Sequence, residues 1–406
     1  MYKFIVLLPV IFLLISCRAN EEREISYPEA IDDTQRKSDT LQAFDLWQDR
    51  YVRAIGHDQF YVSYDEEDNT VSEAHGYGML IMVLGESHLG LDTRSVFDGM
   101  FHYAKAHPSD RNPAFMAWKQ IRQADGTMTD YRIGEHTGSA TDGDMDIAYA
   151  LLLADQLWGS EGTIDYEQEA LTVIHALMEA TVNQDEWVIK LGDWVADDDP
   201  VYGQASRTSD WMIGHLATFY DVTDDERWIK VSDRIIELTT SIQSQFSPET
   251  GLLPDFVWKE GDEWVPVEPE FLERETDPYY SYNAARVPWR FAEGYFKTRN
   301  EEIKQSLERM NTWLKETAQN DPSNIKAGYT LSGEPLASYT DMTFIAPFAI
   351  SALINDDHDE WFKLLWEDMT MDLGPDETGN YFSDTIRLLV MLAMEEAASP
   401  LISLTD

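Results

Sequence analysis

The 406-residue chain has a single cysteine, Cys17. No disulfide can form within it, and no set of thiolates is available for a zinc site or a redox pair. Other signatures are missing too: there is no Gly-rich loop ending in Gly-Lys-Ser/Thr, no His-Glu-x-x-His pair and no Gly-x-Ser-x-Gly elbow. Their absence argues against nucleotide, zincin and serine-hydrolase chemistry. The nine histidines are scattered without metal-ligand spacing, so neither a metal nor a cofactor is expected. Positive charge is also scarce, with 30 Lys and Arg against 75 Asp and Glu and a formal net charge of −45. Such a chain repels phosphate backbones, and nucleic acid is not an expected partner. The acidic runs at 65–68, 197–199 and 224–226 read as solvated loop charge, with attraction to a polycationic substrate as the alternative.

One apolar run stands near the start, from Phe4 to Ile15, after Lys3 and before Ser16 and Cys17. It is too short to span a bilayer and has the form of an export signal. Leu14-Ile15-Ser16-Cys17 resembles a bacterial lipobox, so residues 1–17 are expected to be a lipoprotein signal peptide with Cys17 as the lipidated mature N-terminus. The product would be exported and lipid-anchored to a bacterial membrane, at the cell surface or on a periplasmic face. Residues 18–40 are polar and lack apolar periodicity, which predicts a flexible tether. Residues 41–406 contain no second linker and read as one domain, expected to be monomeric.

Within that domain, apolar residues recur at three- and four-residue spacing. The pattern predicts about twelve helices, near 41–54, 71–85, 93–106, 141–158, 165–181, 207–220, 225–244, 283–298, 300–318, 338–354, 358–367 and 381–397. Strand-like alternation is scarce. The longest stretch without a clear helix runs from Glu249 to Tyr280 and is rich in Glu, Asp, Trp and Pro, a composition that points to a functional loop.

Asp142, Asp144 and Asp146 invite a calcium reading, but the sixth loop position is Ile147 where an EF-hand needs Gly, and the twelfth is Leu153 where it needs Glu. They open an apolar helix instead, where negative charge suits the N-terminus. Asp144 and Asp146 read as capping groups, and Asp142 stands where a carboxylate can face a cleft. Carboxylates together with 13 Trp and 19 Tyr supply the ingredients of carbohydrate chemistry: rings to stack on sugar faces, and acids to work on the glycosidic bond.

Four segments are specific. The stretch from Ala140 to Trp158, the stretch from Val71 to Met79 containing Ser-Glu-Ala-His-Gly-Tyr-Gly-Met, the segment Tyr282-Asn283-Ala284-Ala285-Arg286-Val287-Pro288-Trp289-Arg290, and Tyr381-Phe382-Ser383-Asp384 together resemble glycoside hydrolase family 8, in family order over residues 45 to 397. The resemblance implies an all-α (α/α)6 barrel and an inverting, endo-acting mechanism on β-1,4-linked polysaccharide: chitosan, mixed-linkage β-glucan or cellulose-like glucan. By the same resemblance Glu73 corresponds to the general acid and Asp142 to the aspartate that holds and distorts the sugar. Arg286 corresponds to the family's arginine, and Trp118 and Tyr202 to aromatic residues of the cleft. At the usual place of the catalytic base the chain has Asn283, whose amide cannot accept a proton from water. A subgroup of the family shares that Asn and takes its base from an upstream loop Glu, to which Glu273 corresponds best by its spacing and Phe-Leu-Glu context, with Glu275 as the alternative. The alternative is a non-catalytic glycan-binding lipoprotein that has lost its base.

Overall fold

Three helical segments are buried around their whole circumference rather than along one stripe: Ala74 to Gly85, Thr141 to Ala154 and Thr385 to Glu396. Helices that are apolar on every face belong in the middle of a protein. Segments such as Arg227–Phe246, buried only at Trp228, Val231, Ile235, Leu238, Thr239, Ile242 and Gln243, show the three- and four-residue spacing of a one-sided outer helix. The computed structural model describes Tyr27, residues 31–374 and residues 379–404, and it sorts the helices in this way. In chain order they are α1 (Asp33–Tyr51), α2 (Ser72–Leu89), α3 (Arg94–Ala106), α4 (Thr141–Trp158), α5 (Tyr166–Ala180), α6 (Ile213–Thr223), α7 (Arg227–Phe246), α8 (Val287–Thr298), α9 (Glu301–Thr317), α10 (Ala346–Ala352), α11 (Asp359–Met371) and α12 (Tyr381–Ala398).

The even-numbered helices form an inner ring, α12 packing on α2, α2 on α4, α6 on α8, α8 on α10 and α10 on α12. The ring closes between α4 and α6, where His215 stacks on Tyr149 at 4.0 Å and meets Asp146 at 2.9 Å. The odd-numbered helices lie outside, giving the (α/α)6 barrel. All six inner helices begin at the same end, because residues at their N-termini touch: Glu73, Asp142, Ser209 and Arg286 form one network, and Asp341, just before α10, bonds Tyr282 and Ser383. The far end holds their C-termini, where His88 pairs with Glu396 at 2.9 Å and Lys297 reaches the carbonyl of Ile402.

The expected boundaries shift most at three places. The first helix begins at Asp33, capped by the Asp32 carboxylate on Thr34 N–H, and buries Arg36 against Glu395. Residues 33–40, expected within the tether, therefore belong to the barrel, since Arg36 gains a buried ion pair there. The helix expected from 207 begins at Ile213, because residues 205–207 form a strand and 208–210 a single 3-10 turn. The helix expected from 338 begins at Ala346. Residues Glu249 to Tyr280 are not wholly irregular: Phe256–Glu260 pairs antiparallel with Glu263–Pro266 and with the strand Ala205–Arg207. A second small sheet pairs Thr70–Val71 with Lys119–Arg122, placing Lys119 opposite Val71. These strands are too short to declare themselves by alternation. The signal peptide and Cys17 lie outside the described residues. No helix among the described residues is long and apolar enough to cross a membrane.

Candidate active site

The site starts from a close approach of two helices. A Cβ built on Gly143 would lie 2.5 Å from the carbonyl carbon of Ser72, and one on Gly76 would lie 2.8 Å from Cβ of Asp146. Glycine at these positions lets the first turns of α2 and α4 meet backbone to backbone. Glu73 follows Ser72 and Asp142 precedes Gly143, so the same contact sets their two carboxyls side by side.

Arg286, one residue before α8, lies fully buried between them. Its Nη1 donates to Glu73 and, at 2.7 Å, to the Tyr77 hydroxyl, and it stands 3.6 Å from Asp142. Its Nη2 donates to Ser209 Oγ at 2.9 Å and to Asn283 Oδ1 at 2.7 Å. Because Arg286 occupies the amide oxygen of Asn283, the NH2 group must face the other way, and it donates to Glu273 Oε2 at 3.0 Å. The second oxygen of Glu273 accepts from Arg207 Nη2 at 2.9 Å, and Arg207 Nη1 reaches back to Asp142 at 3.1 Å. A closed circuit thus links Glu73, Arg286, Asn283, Glu273, Arg207 and Asp142.

The loop that carries Glu273 is organised by Asp277, whose buried carboxylate accepts the backbone N–H groups of Leu272, Glu273 and Arg274 at 2.8, 3.0 and 2.9 Å. Phe271 and Leu272 anchor it on a small apolar cluster with Trp194, Tyr202 and Trp258. Glu273 keeps 36% of its side chain exposed, and Glu270 and Glu275, also exposed, stand outside the circuit.

The carboxyls differ in ionisation. Burial pushes Glu73 up to about 7; Arg286 opposes the rise and the charge of Asp142 adds to it. Asp142 lies deeper, and burial works to raise it, but Arg207, Arg286 and the N–H of Gly143 outweigh burial and hold it below the usual aspartate value. Asp210, also buried, is pushed up to about 7 although Arg207 stands 3.9 Å away. One acid that keeps its proton beside another that has lost it is the division of labour that glycosidic bond cleavage needs.

Of the residues singled out in the sequence, Glu73, Asp142, Glu273, Asn283 and Arg286 come together in the circuit. Trp118 stands beside it: its carbonyl accepts the N–H of Ser72, and its half-buried ring meets Tyr131 edge-on at 5.6 Å. Tyr202 does not join the hydrogen-bonded set but packs edge-on against Trp194 and Phe271, both at 5.3 Å, beneath the Glu273 loop. Asp144 accepts the N–H of Met116, and Asp146 holds His215 and Arg290 inside the barrel. His75 bonds the carbonyl of Met100 at 2.6 Å in the core. Sequence reasoning missed Arg207, Asp210 and Asp277. The first two sit in Ser206-Arg207-Thr208-Ser209-Asp210, a polar cluster directly before an apolar helix, which was a usable signal. Asp277 gave none, since its partners are backbone groups.

Barrel and paired carboxyls together define a glycosidase. Residues 32–396 match the model of glycosyl hydrolases family 8, and the chain belongs to that family. It is 39% identical over 367 residues to a β-glucanase of Niallia circulans, covering 90% of this chain and 86% of that protein. It is 36% identical over 323 residues to an endoglucanase of Bacillus sp. strain KSM-330, covering 79% of this chain and 65% of that one. Among solved structures, a β-1,3-1,4-glucanase from Paenibacillus sp. X4 superposes with a TM-score of 0.84 at 38% identity, covering 91% of this chain and 94% of that one. Rex8A from Paenibacillus barcinonensis, solved with xylose, shares the fold with a TM-score of 0.72 at 21% identity, covering 93% of this chain and 96% of that one.

Proposed function

We propose that the protein is an inverting, endo-acting hydrolase of β-1,4 linkages in mixed-linkage β-glucan, with Glu73 as general acid, Glu273 as general base and Asp142 holding the sugar at the point of cleavage. The observation that carries this reading is the orientation of Asn283. Its amide, turned by Arg286, donates to Glu273, so the residue at the usual base position orients a carboxylate rather than acting as one. This is the arrangement expected of the subgroup that has Asn there. A guanidinium and an amide in series stand between Glu73 and Glu273, whereas an inverting pair needs roughly 6.5–9.5 Å to admit a water. In the reaction Glu273 takes a proton from that water as its oxygen bonds the anomeric carbon. The bond to the leaving oxygen breaks, and Glu73 supplies the proton that the oxygen needs. The β-glucanase and endoglucanase relatives support a glucan over chitosan, and the β-1,3-1,4-glucanase neighbour favours mixed-linkage glucan among glucans. Export and lipid attachment at Cys17 belong to the same proposal.

Reducing-end release on lichenan, carboxymethyl-cellulose, chitosan and xylan tests the substrate, and the anomeric configuration of the first product, read by proton NMR, tests inversion. Glu273→Gln is expected to lose activity while Glu270→Gln and Glu275→Gln retain it. Full activity of Glu273→Gln removes the proposed base, and a wild type inactive on every glycan favours the glycan-binding alternative.

A further inference from the structure

Asn283 stands at a capping position and makes no capping bond. It precedes the 3-10 turn Ala284–Arg286 that leads into α8, a place where an asparagine side chain ordinarily accepts N–H groups of the first turn. Its side chain is spent elsewhere, with Oδ1 accepting from Arg286 at 2.7 Å and Nδ2 donating to Glu273 at 3.0 Å. The N–H groups of Ser281 and Ala284 go instead to Asp255 Oδ1, at 3.0 and 2.7 Å, on a carboxyl supplied from 26 and 29 positions earlier in the chain.

Asp255 is buried at a junction behind the site. Its carbonyl accepts the N–H of Thr208, next to Arg207, and its own N–H donates to the carbonyl of Tyr279. Phe256 follows it, donates to the carbonyl of Asp277 and pairs with Arg207 in the sheet. Three segments therefore meet on residues 255 and 256: the strand that ends in Arg207, the loop that carries Glu273, and the turn that carries Asn283 and Arg286. Burial pushes Asp255 up to about 7, although the N–H groups of Ala284 and Ser281 pull the other way. At neutral pH part of the population holds those groups with a neutral carboxyl, so the turn needs an acceptor oxygen there rather than a charge. Asp277 differs, because its grip on the base loop uses both oxygens, Oδ2 for Leu272 and Glu273 and Oδ1 for Arg274.

We propose that Asp255 is a positioning residue for the general base: by capping the turn from outside, it frees the Asn283 amide to orient Glu273. This rests on reading Glu273 as the base. Without Asp255 the N–H of Ala284 is left unpaired in the interior, a costly state, and the adjacent Asn283 side chain can relieve it only by turning away from the circuit.

The test is a set of rates on an oligoglucan with a dinitrophenyl leaving group, which keeps slow variants readable. Asp255→Ala is expected to lower kcat about 100-fold, as a misplacement of about 1 Å does, with KM within about threefold of wild type. Asp255→Asn offers an amide oxygen to the same two N–H groups and should keep kcat within about threefold, whereas Asp277→Asn, one acceptor short, should lose about tenfold or more. On a Glu273→Gln background Asp255→Ala should cost less than about threefold further, because a residue that acts through the base has nothing left to position. If Asp255→Ala does not fold, Asp255→Glu, which carries its acceptor about 1.5 Å farther from the backbone, takes its place in both comparisons. The proposal is overturned if kcat is unchanged, if the loss lies in KM, if Asp255→Asn is as impaired as Asp255→Ala, or if the losses multiply on Glu273→Gln. Full activity of Glu273→Gln removes the base and this role with it. An inactive Glu273→Gln beside a fully active Asp255→Ala rejects this role alone.

Discussion

Replacing Gly143 by alanine tests how the carboxyl pair is built. The added methyl would lie 2.5, 2.6 and 2.7 Å from the carbonyl carbon, Oγ and carbonyl oxygen of Ser72, whereas carbon contacts are comfortable at about 3.5–4.0 Å. Two of those atoms are backbone, so α2 and α4 must part by about 1 Å at their first turns, the place where Glu73 and Asp142 are attached. A strained insertion of this kind costs about 1–3 kcal/mol, and a displacement of about 1 Å between reacting groups costs roughly 100-fold in turnover. The expectation is a folded protein whose melting temperature falls by a few degrees and whose kcat falls about 100-fold, measured well below the transition. Gly162→Ala serves as the control, because its methyl would meet only the flexible end of Arg94, at 3.2 Å. Wild-type kcat in Gly143→Ala would refute the argument that this contact positions the acid. So would a loss of activity that merely tracks the unfolded fraction.

In its proposed role as general acid Glu73 must be protonated, and with its pKa near 7 kcat/KM should fall about tenfold per pH unit above that value; a pH–rate profile flat to pH 9 would remove it from the role. Asp142→Asn keeps the shape but weakens the hold of Arg207 and, in the proposed role, the bond to the sugar, so kcat should drop by about 100-fold or more with the circular dichroism spectrum unchanged. Glu293 is partly buried beside Arg290 and held near 7, above the ordinary 4.5, so the folded state binds its proton more tightly than the unfolded chain. That group's contribution therefore erodes as pH rises from about 4.5 through 7, and Glu293→Gln should raise the melting temperature at pH 8 but not at pH 4, by calorimetry. Metabolic labelling with a fatty acid should disappear in Cys17→Ala, and persistent label would reject the anchor.

The helices were legible because burial of one face imposes a period of 3.6, and burial of every face leaves an apolar run too long for a strand. Their starts were less legible where tertiary pairing overrode periodicity. Arg207 reads as the first residue of a helix by pattern, but in the barrel it ends a strand opposite Phe256. Glu73, Asp142 and Arg286 could be placed because each stands in a motif at the mouth of an apolar helix. The role of Arg207 could not be read, since an arginine's value here lies in joining Asp142 to Glu273, 65 and 66 positions away in the chain. The same holds for Gly143, whose reason for being glycine is a backbone on another helix.

The entry point of the chain has a consequence for how the catalyst meets its polymer. Tyr27 bonds the carbonyl of Met394 and Arg36 pairs with Glu395, so the N-terminal segment docks where the inner helices end. The cleft opens where they begin, one helix length away, about 27 Å for the 18 residues of α2. With a lipid on Cys17, the ten residues from there to Tyr27 span at most about 35 Å when fully extended. A barrel held on so short a leash, and pushed off an anionic bilayer by its own charge, would stand on its base with its mouth toward the medium. On that reading it could engage the middle of a long glucan chain, and fragments would be released beside the cell.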